Sequence, residues 1–221
     1  MSRALKVLVM VAAILLMSGS VYAMEANSSN GYSGTYLGVL TGYSWVDMHY
    51  SEPGYPNYGL DPDFDGFVGG IYLGYNYRMD NTIYGIETDL VFGDLSKGAE
   101  KNNQYNDYSA FDIDWNAHVR AKAGLIFNNT LLYVAGGLAL ADLTVDDKDP
   151  GWGKDDATHT GWTIGAGIEY MMTDNLLLRF EYLYDDYGSE KYTIKGGNYS
   201  YDAKVKDFTV HTTRIGLSYN F

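Results

Sequence analysis

The chain contains no cysteine. Disulfides, thiolate metal centres and a lipid attached through an N-terminal cysteine are therefore excluded. Proline is scarce, four in 221 residues, so long extended segments can run with few missing backbone donors. Basic residues are few as well: 15 Lys and Arg stand against 28 Asp and Glu, a formal charge of −13. So acidic a chain is a poor match for nucleic acid, whose phosphates call for basic patches. After the first residues no run of about 18 apolar residues occurs, which excludes a transmembrane helix. What the N-terminus does have is a short basic start (Arg3, Lys6), an apolar run from Val7 to Met17 and the small-residue ending Val21-Tyr22-Ala23. That order predicts a cleaved signal peptide over residues 1–23. Its removal takes away only Arg3 and Lys6 and moves the formal charge from −13 to −15. A polar leader, residues 24–34, then precedes a single domain over 35–221.

Three tight turns organise that domain: Arg78-Met79-Asp80-Asn81-Thr82, Phe127-Asn128-Asn129-Thr130 and Met171-Met172-Thr173-Asp174-Asn175. Each joins two stretches of alternating apolar and polar residues, and four much longer polar loops join the others. Short turns on one side and long loops on the other are the mark of a transmembrane β-barrel. The seven connections predict eight strands near Thr35–Val46, Gly66–Arg78, Ile83–Gly93, Phe111–Ile126, Leu131–Ala141, Thr160–Tyr170, Leu176–Asp185 and Phe208–Phe221. The expected fold is all-β, an eight-stranded antiparallel up-and-down transmembrane β-barrel with both termini in the periplasm. An even strand number closes the sheet and leaves no edge in lipid.

Alternation separates two faces. Phe67, Ile71, Leu73, Tyr75 and Tyr77 read as lipid-facing, with Tyr72, Gly74, Asn76 and Arg78 pointing inward. Val119, Ala121 and Ala123 face out against His118, Arg120 and Lys122. Ile215, Leu217, Tyr219 and Phe221 face out against Arg214, Gly216 and Ser218. Aromatics gather at strand ends, as at Tyr43/Trp45, Tyr182/Tyr184 and Tyr219/Phe221, where rings prefer the lipid–water boundary. Inward glycines (Gly38, Gly42, Gly74, Gly85, Gly165, Gly167) leave room for larger neighbours in a narrow lumen.

The inward set also holds the candidate functional residues: Arg78, Arg120, Lys122, Arg179 and Arg214 with Glu87, Asp89, Glu169 and Glu181. Near-neutrality inside a strongly negative chain predicts mutual pairing, because an unpaired buried charge is costly. The bland reading is a salt-bridged plug, since eight strands leave little room inside; the sharp one is an ion path controlled by the pairs. Elsewhere the charge is acidic. The segment Asp142–His159 carries Asp142, Asp146, Asp147, Asp149, Asp155 and Asp156. Asp61-x-Asp63-x-Asp65-Gly66 matches the opening of a calcium loop, but its twelfth position is Tyr72 instead of an acid, so no metal ligands are assigned. The four histidines, His49, His118, His159 and His211, lack the spacing of a nucleophile or general base, so no catalytic residue is assigned and His159 is read as a solvated loop histidine.

The segment Gly69-Gly70-Ile71-Tyr72-Leu73-Gly74-Tyr75-Asn76-Tyr77, with Gly85-Ile86-Glu87-Thr88-Asp89, resembles the second hairpin of the opacity-like, OmpA-type outer-membrane β-barrel family. Gly161-Trp162-Thr163-Ile164-Gly165-Ala166-Gly167-Ile168-Glu169-Tyr170, Thr173-Asp174-Asn175 and Arg179-Phe180-Glu181-Tyr182-Leu183-Tyr184 are similar to its third. Arg214-Ile215-Gly216-Leu217-Ser218-Tyr219-Asn220-Phe221 is similar to its closing strand. The resemblance implies a porin-like surface antigen of a Gram-negative outer membrane. Its expected role is structural and surface-interactive: envelope integrity, adhesion or host contact through four acidic extracellular loops. It implies no catalytic residues and no cofactor, and makes the terminal Phe221 the signal read by the barrel-assembly machinery. Expected partners are outer-membrane lipid, lipopolysaccharide and a host surface ligand, with the barrel a monomer. Two alternatives stay open. One is a narrow ion or small-solute channel; the other is haem or host-ligand binding through His49, Tyr50, Tyr55 and Tyr58.

Overall fold

Nine strands follow one another in the computed structural model, which describes residues 32–52, 59–102, 107–148, 153–196 and 199–221. They are β1 (Gly34–Ser51), β2 (Gly59–Leu60), β3 (Asp63–Met79), β4 (Thr82–Asn102), β5 (Asp107–Phe127), β6 (Thr130–Asp147), β7 (Lys154–Met171), β8 (Leu176–Gly196) and β9 (Tyr199–Asn220). The proposed signal peptide and most of the leader lie outside the described residues. β2 is a two-residue ladder on β1, and the eight long strands form a ring of antiparallel neighbours. β1 closes it against β9, from Tyr36↔Asn220 to Ser51↔Lys204. The expected turns join β3 to β4, β5 to β6 and β7 to β8. Asp80 and Asn128 take left-handed backbone there (φ 53° and 54°), which short polar side chains tolerate best.

The strands are longer than a membrane requires. Each of the eight has 17 to 22 residues, whereas about 9–11 tilted residues cross the hydrocarbon. The crossing part is where large apolar side chains are exposed: Leu37–Trp45 of β1, Phe67–Tyr77 of β3, Trp162–Tyr170 of β7 and Ile215–Tyr219 of β9 among them. Beyond it the alternation changes phase. In the membrane Val39 of β1 points out, but above Trp45 the apolar residues Val46, Met48 and Tyr50 point in and Asp47 points out. β9 does the same, with Val205, Phe208 and Val210 inside and Ile215 and Leu217 outside. The cause is the solvent: a sheet in lipid exposes its apolar face, and the same sheet in water must bury it.

Much of what reads in sequence as long polar loops is therefore ladder. The segment Asp142–His159 is largely the top of β6 and β7, paired from Leu140↔Thr160 to Asp146↔Lys154. These upper parts enclose a second apolar core, in which Val46, Tyr50, Phe111, Leu143, Val145, Ile194 and Phe208 pack together.

The ring does not stay closed at this height. Pairing of β7 with β8 stops at Trp162↔Asp186, and pairing of β3 with β4 stops at Val68↔Gly93. Above those points β4, β5, β6 and β7 remain one sheet, while β8, β9, β1 and the top of β3 form another. The upper storey is thus a two-sheet sandwich standing on a barrel. Two polar contacts span its seams: Asp155 Oδ2 accepts from the Thr193 backbone N–H (2.9 Å), and Lys97 Nζ donates to the Asp63 carbonyl (2.8 Å).

The periplasmic end is filled too. Tyr32 sits fully buried among Ile83, Ile126, Leu131 and Leu177, with its hydroxyl donating to the Asn129 and Glu169 carbonyls (2.7 and 3.1 Å).

Candidate functional site

Between the two apolar plugs lies a layer of charge. The ladder register builds its first pairs directly, since Glu87↔Arg120, Asp89↔His118, Glu169↔Arg179 and Glu181↔Arg214 are cross-strand partners. Residues directly opposite share a face with Cβ atoms about 5 Å apart, so inward alternation brings acid to base. Side-chain length then carries the pairing across the lumen. Arg120 on β5 reaches Glu181 on β8 (Nη1–Oε1, 2.9 Å) and Asp89 on β4 (3.0 Å), and also pairs with Glu87. Arg179 on β8 holds Glu87 through both terminal nitrogens (2.9 and 2.6 Å) and Glu169 through Nε (2.9 Å). Arg214 on β9 joins Glu181 (2.6 Å) to Asp89 (2.9 Å), and Lys122 meets Glu169 at 3.0 Å.

Phenols complete the layer. The Tyr36 hydroxyl donates to Glu87 (2.6 Å) and that of Tyr133 to Glu181 (2.8 Å). Lys122 lies over both rings at 4.8 Å, and the Arg179 guanidinium lies 4.2 Å from the Tyr72 ring centre, so cation–π attraction adds to the ion pairs. Glycines opposite these rings make the space: a Cβ on Gly167 would stand 2.5 Å from the Tyr133 ring, and one on Gly216 would stand 2.9 Å from the Tyr72 hydroxyl.

Eight of the nine lumen residues expected from the sequence stand in this layer. Arg78 does not. At the β3–β4 turn its Nε donates to the Asp80 carbonyl (2.7 Å), because its strand ends one residue later, below the layer. Sequence reasoning missed Asp185 and the full part of His118. The His118 ring bridges Asp89 (Nδ1, 2.6 Å) and Asp185 (Nε2, 3.3 Å), with all three side chains buried. Protonated, the ring gives Asp89 a hydrogen bond and faces Asp185 with positive charge at 3.3 Å, a contact that lacks hydrogen-bond alignment. The layer then holds five cations (His118, Arg120, Lys122, Arg179, Arg214) against five anions (Glu87, Asp89, Glu169, Glu181, Asp185). The continuing inward phase from Glu181 through Leu183 is the signal that could have placed Asp185 there.

The histidines and tyrosines set aside for surface chemistry fall elsewhere. His159 is not solvated. It is fully buried in the upper core, edge-on to Phe208 (4.9 Å), with Nε2 2.7 Å from the Tyr192 hydroxyl. Loss of hydration there pushes its pKa down to about 4. Tyr50 also points into the core, so it cannot join His49 in a surface ligand site; Tyr55 and Tyr58 lie outside the described residues. His49 meets Asp61 at 2.6 Å, Asp65 accepts from Tyr43, and His211 lies 2.6 Å from the Tyr182 hydroxyl on the outer face. Among the described residues no three acidic or imidazole side chains converge as metal ligands would. Phe221 ends the chain with its N–H donating to the Thr35 carbonyl (2.9 Å) and its ring exposed against Tyr219.

Residues 11–221 match the family described as outer membrane protein beta-barrel domain. A 22 kDa outer membrane protein of Rhizobium leguminosarum bv. viciae is 31% identical over 195 residues, covering 87% of this chain and 80% of the relative. A 31 kDa outer-membrane immunogenic protein of Brucella melitensis is 32% identical over 208 residues, covering 86% and 84%. Among solved structures, Neisserial surface protein A aligns with a TM-score of 0.50 at 17% identity, covering 86% of this chain and 98% of that one. The outer membrane protease OmpT of Escherichia coli aligns with a TM-score of 0.54 at 9% identity, covering 89% and 99%; both are likenesses of fold alone. A ring of strands with an apolar belt and a charged interior, matched along nearly its whole length, places the chain in the outer-membrane β-barrel protein family.

Proposed function

We infer that this barrel works as a closed, rigid platform that carries a folded β-sandwich above the outer membrane, where the surroundings meet it. The observation that carries this reading is the three-tier lumen. Tyr32 and its neighbours fill the lower end, the charged layer fills the middle, and the sandwich core fills the top. An ion crossing it would have to displace packed apolar side chains twice and separate buried ion pairs once. Surface display fits the relatives, among them the 31 kDa and 25 kDa outer-membrane immunogenic proteins of Brucella melitensis. On this reading residues 1–23 direct secretion and the exposed Phe221 end serves recognition by the assembly machinery.

Conductance of the reconstituted barrel in a planar bilayer tests the closed lumen. The expected trace is silent, with insertion verified by heat-dependent gel mobility. Reproducible unitary steps that change on Arg214→Ala would overturn the platform reading in favour of a charge-lined channel.

A further inference from the structure

At the roof of the charged layer, five neighbouring side chains keep buried polar atoms that make no hydrogen bond among the described residues. They are the amide oxygen of Asn116, Nε2 of His118, Oγ1 of Thr163, both oxygens of Asp185 and the hydroxyl of Tyr187. Each of these residues is at most 4% exposed. Buried polar groups are nearly always satisfied, so a cluster of unsatisfied ones calls for a partner. The five belong together in space. Thr163 and Asp185 are direct partners in the β7–β8 ladder, and His118 Nε2 lies 3.3 Å from Asp185 Oδ2 across the lumen. Alternate residues of a strand share a face. Asn116 and Tyr187 therefore stand one inward step above His118 and Asp185, facing each other at the next level. The wall between β5 and β8 is thin on its inner side. Ala139 of β6 is opposite both His118 and Gly161, and Ala141 is opposite Asn116, so short side chains stand where larger ones would fill the space.

Donors and acceptors select the ligand. Asp185 and Asn116 offer oxygens that only accept, whereas the Thr163 and Tyr187 hydroxyls can donate. Two acceptors and two donors are the tetrahedral complement of one water molecule. A cation would suit the oxygens alone, but it would stand beside the positive His118 ring. Arg120 and Arg214 lie close by as well, on the same Asp89 carboxylate that holds that ring. Like charges repel strongly where water does not screen them. An anion would meet the Asp185 carboxylate. We propose that this roof site binds one ordered water, which donates to Asp185 and Asn116 and accepts from Thr163 and Tyr187. Buried waters typically make about three such bonds to groups that the protein leaves unpaired. The β7–β8 seam supplies the way in, because ladder pairing ends at Trp162↔Asp186, one residue above Thr163↔Asp185. The site goes beyond the closed platform and does not breach it: one enclosed water is not a path, and the ion pairs of Glu87, Glu169 and Arg179 lie below it.

The test is water-to-protein magnetisation transfer by NMR on the full barrel in lipid bilayers with sodium chloride. Transfer should reach Asn116, Thr163 and Tyr187 and be absent at Glu87 and Arg179. In the combined Thr163→Val/Tyr187→Phe chain it should be lost at Asn116. Both replacements keep the shape of the side chain, and the Phe ring retains the stack of Tyr187 on Phe208 (4.8 Å). Thr163→Ser, which keeps the hydroxyl, should retain the transfer, and heat-dependent gel mobility verifies that each variant is folded. No transfer at the three residues of the native chain would overturn the site, as would undiminished transfer at Asn116 in the double variant. Resonances of these residues that move when potassium replaces sodium would assign the oxygens to a cation and overturn water as the ligand. Transfer extending down to Glu87 and Arg179 would overturn the enclosed water in favour of a hydrated lumen; bilayer conductance decides separately whether such a lumen conducts.

Discussion

Arg120, Arg179 and Arg214 stay protonated in any protein setting, so each is charged where it sits, buried at mid-lumen. Their stability depends on partners being present, and removing one partner strands the others. Glu87 is shared by Arg120, Arg179 and the Tyr36 hydroxyl, so Glu87→Ala should cost about 3–5 kcal/mol, read as a lowered urea midpoint of the folded barrel. The exposed pair Lys148–Asp146 offers the contrast, and Lys148→Ala should change the midpoint by less than about 1 kcal/mol. His159 is the residue through which pH should act on the upper storey. Its folded pKa of about 4 lies below the unfolded value of 6.5, so between those values the unfolded chain binds a proton that the folded one does not. The stability that neutral His159 contributes is therefore complete above pH 6.5 and is lost as pH falls toward 4, by about 2–3 kcal/mol across that window. Melting of the native chain and of His159→Phe at pH 7 and pH 4.5 checks it: the native chain should lose more, and equal losses would mean that His159 is not the group responsible.

Strands here do two jobs along one length, and that decides what could be read in advance. The turns, the strand order and the inward positions of Arg120, Glu181 and Arg214 were legible, because alternation and turn chemistry are local. The upper strands were not, since above Trp45 the apolar residues move to the other face, and alternation read from one end alone looks broken there. Asp185 escaped for a different reason: strands are staggered around a tilted ring, so which residues share a level depends on register, with Asp185 opposite Thr163 and beside His118. Arg78 shows the same error in reverse, correct in phase but too low. The seam between β7 and β8 follows from register as well, and it has a direct consequence for exchange. Above Trp162↔Asp186, β8 is hydrogen-bonded on its β9 side, while the Thr193 amide relies on the Asp155 carboxylate. In Asp155→Ala the Thr193 amide should exchange hydrogen faster by on the order of tenfold, as for the loss of about 1.4 kcal/mol of protection. Unchanged exchange would show that the side-chain contact does not hold the seam.

Across the whole molecule the charge is divided between two environments. The lumen layer balances at five against five with His118 protonated, so the net negative charge lies elsewhere: Glu52, Asp142 and Asp147 are buried in the upper storey, and most of the rest is on the outer faces and connections, where Asp47, Asp63, Asp65, Asp112, Asp114 and Asp156 are partly or fully exposed. Exposed charges are screened by salt, and buried pairs are screened little. Raising sodium chloride from about 0.02 to about 0.2 M shortens the screening length from about 20 to about 7 Å, so the native barrel should resist urea better as its outer carboxylates repel one another less. The Glu87→Ala barrel should gain by the same increment, which leaves the gap between the two unchanged within about 0.5 kcal/mol, the additivity expected of independent sites. The comparison bears directly on function. Salt that closed the gap would have to reach Arg120 and Arg179, which means a hydrated lumen and an ionic path; a constant gap means a dry layer, and with it a barrel whose exchanges with its surroundings take place on its outer wall and upper storey.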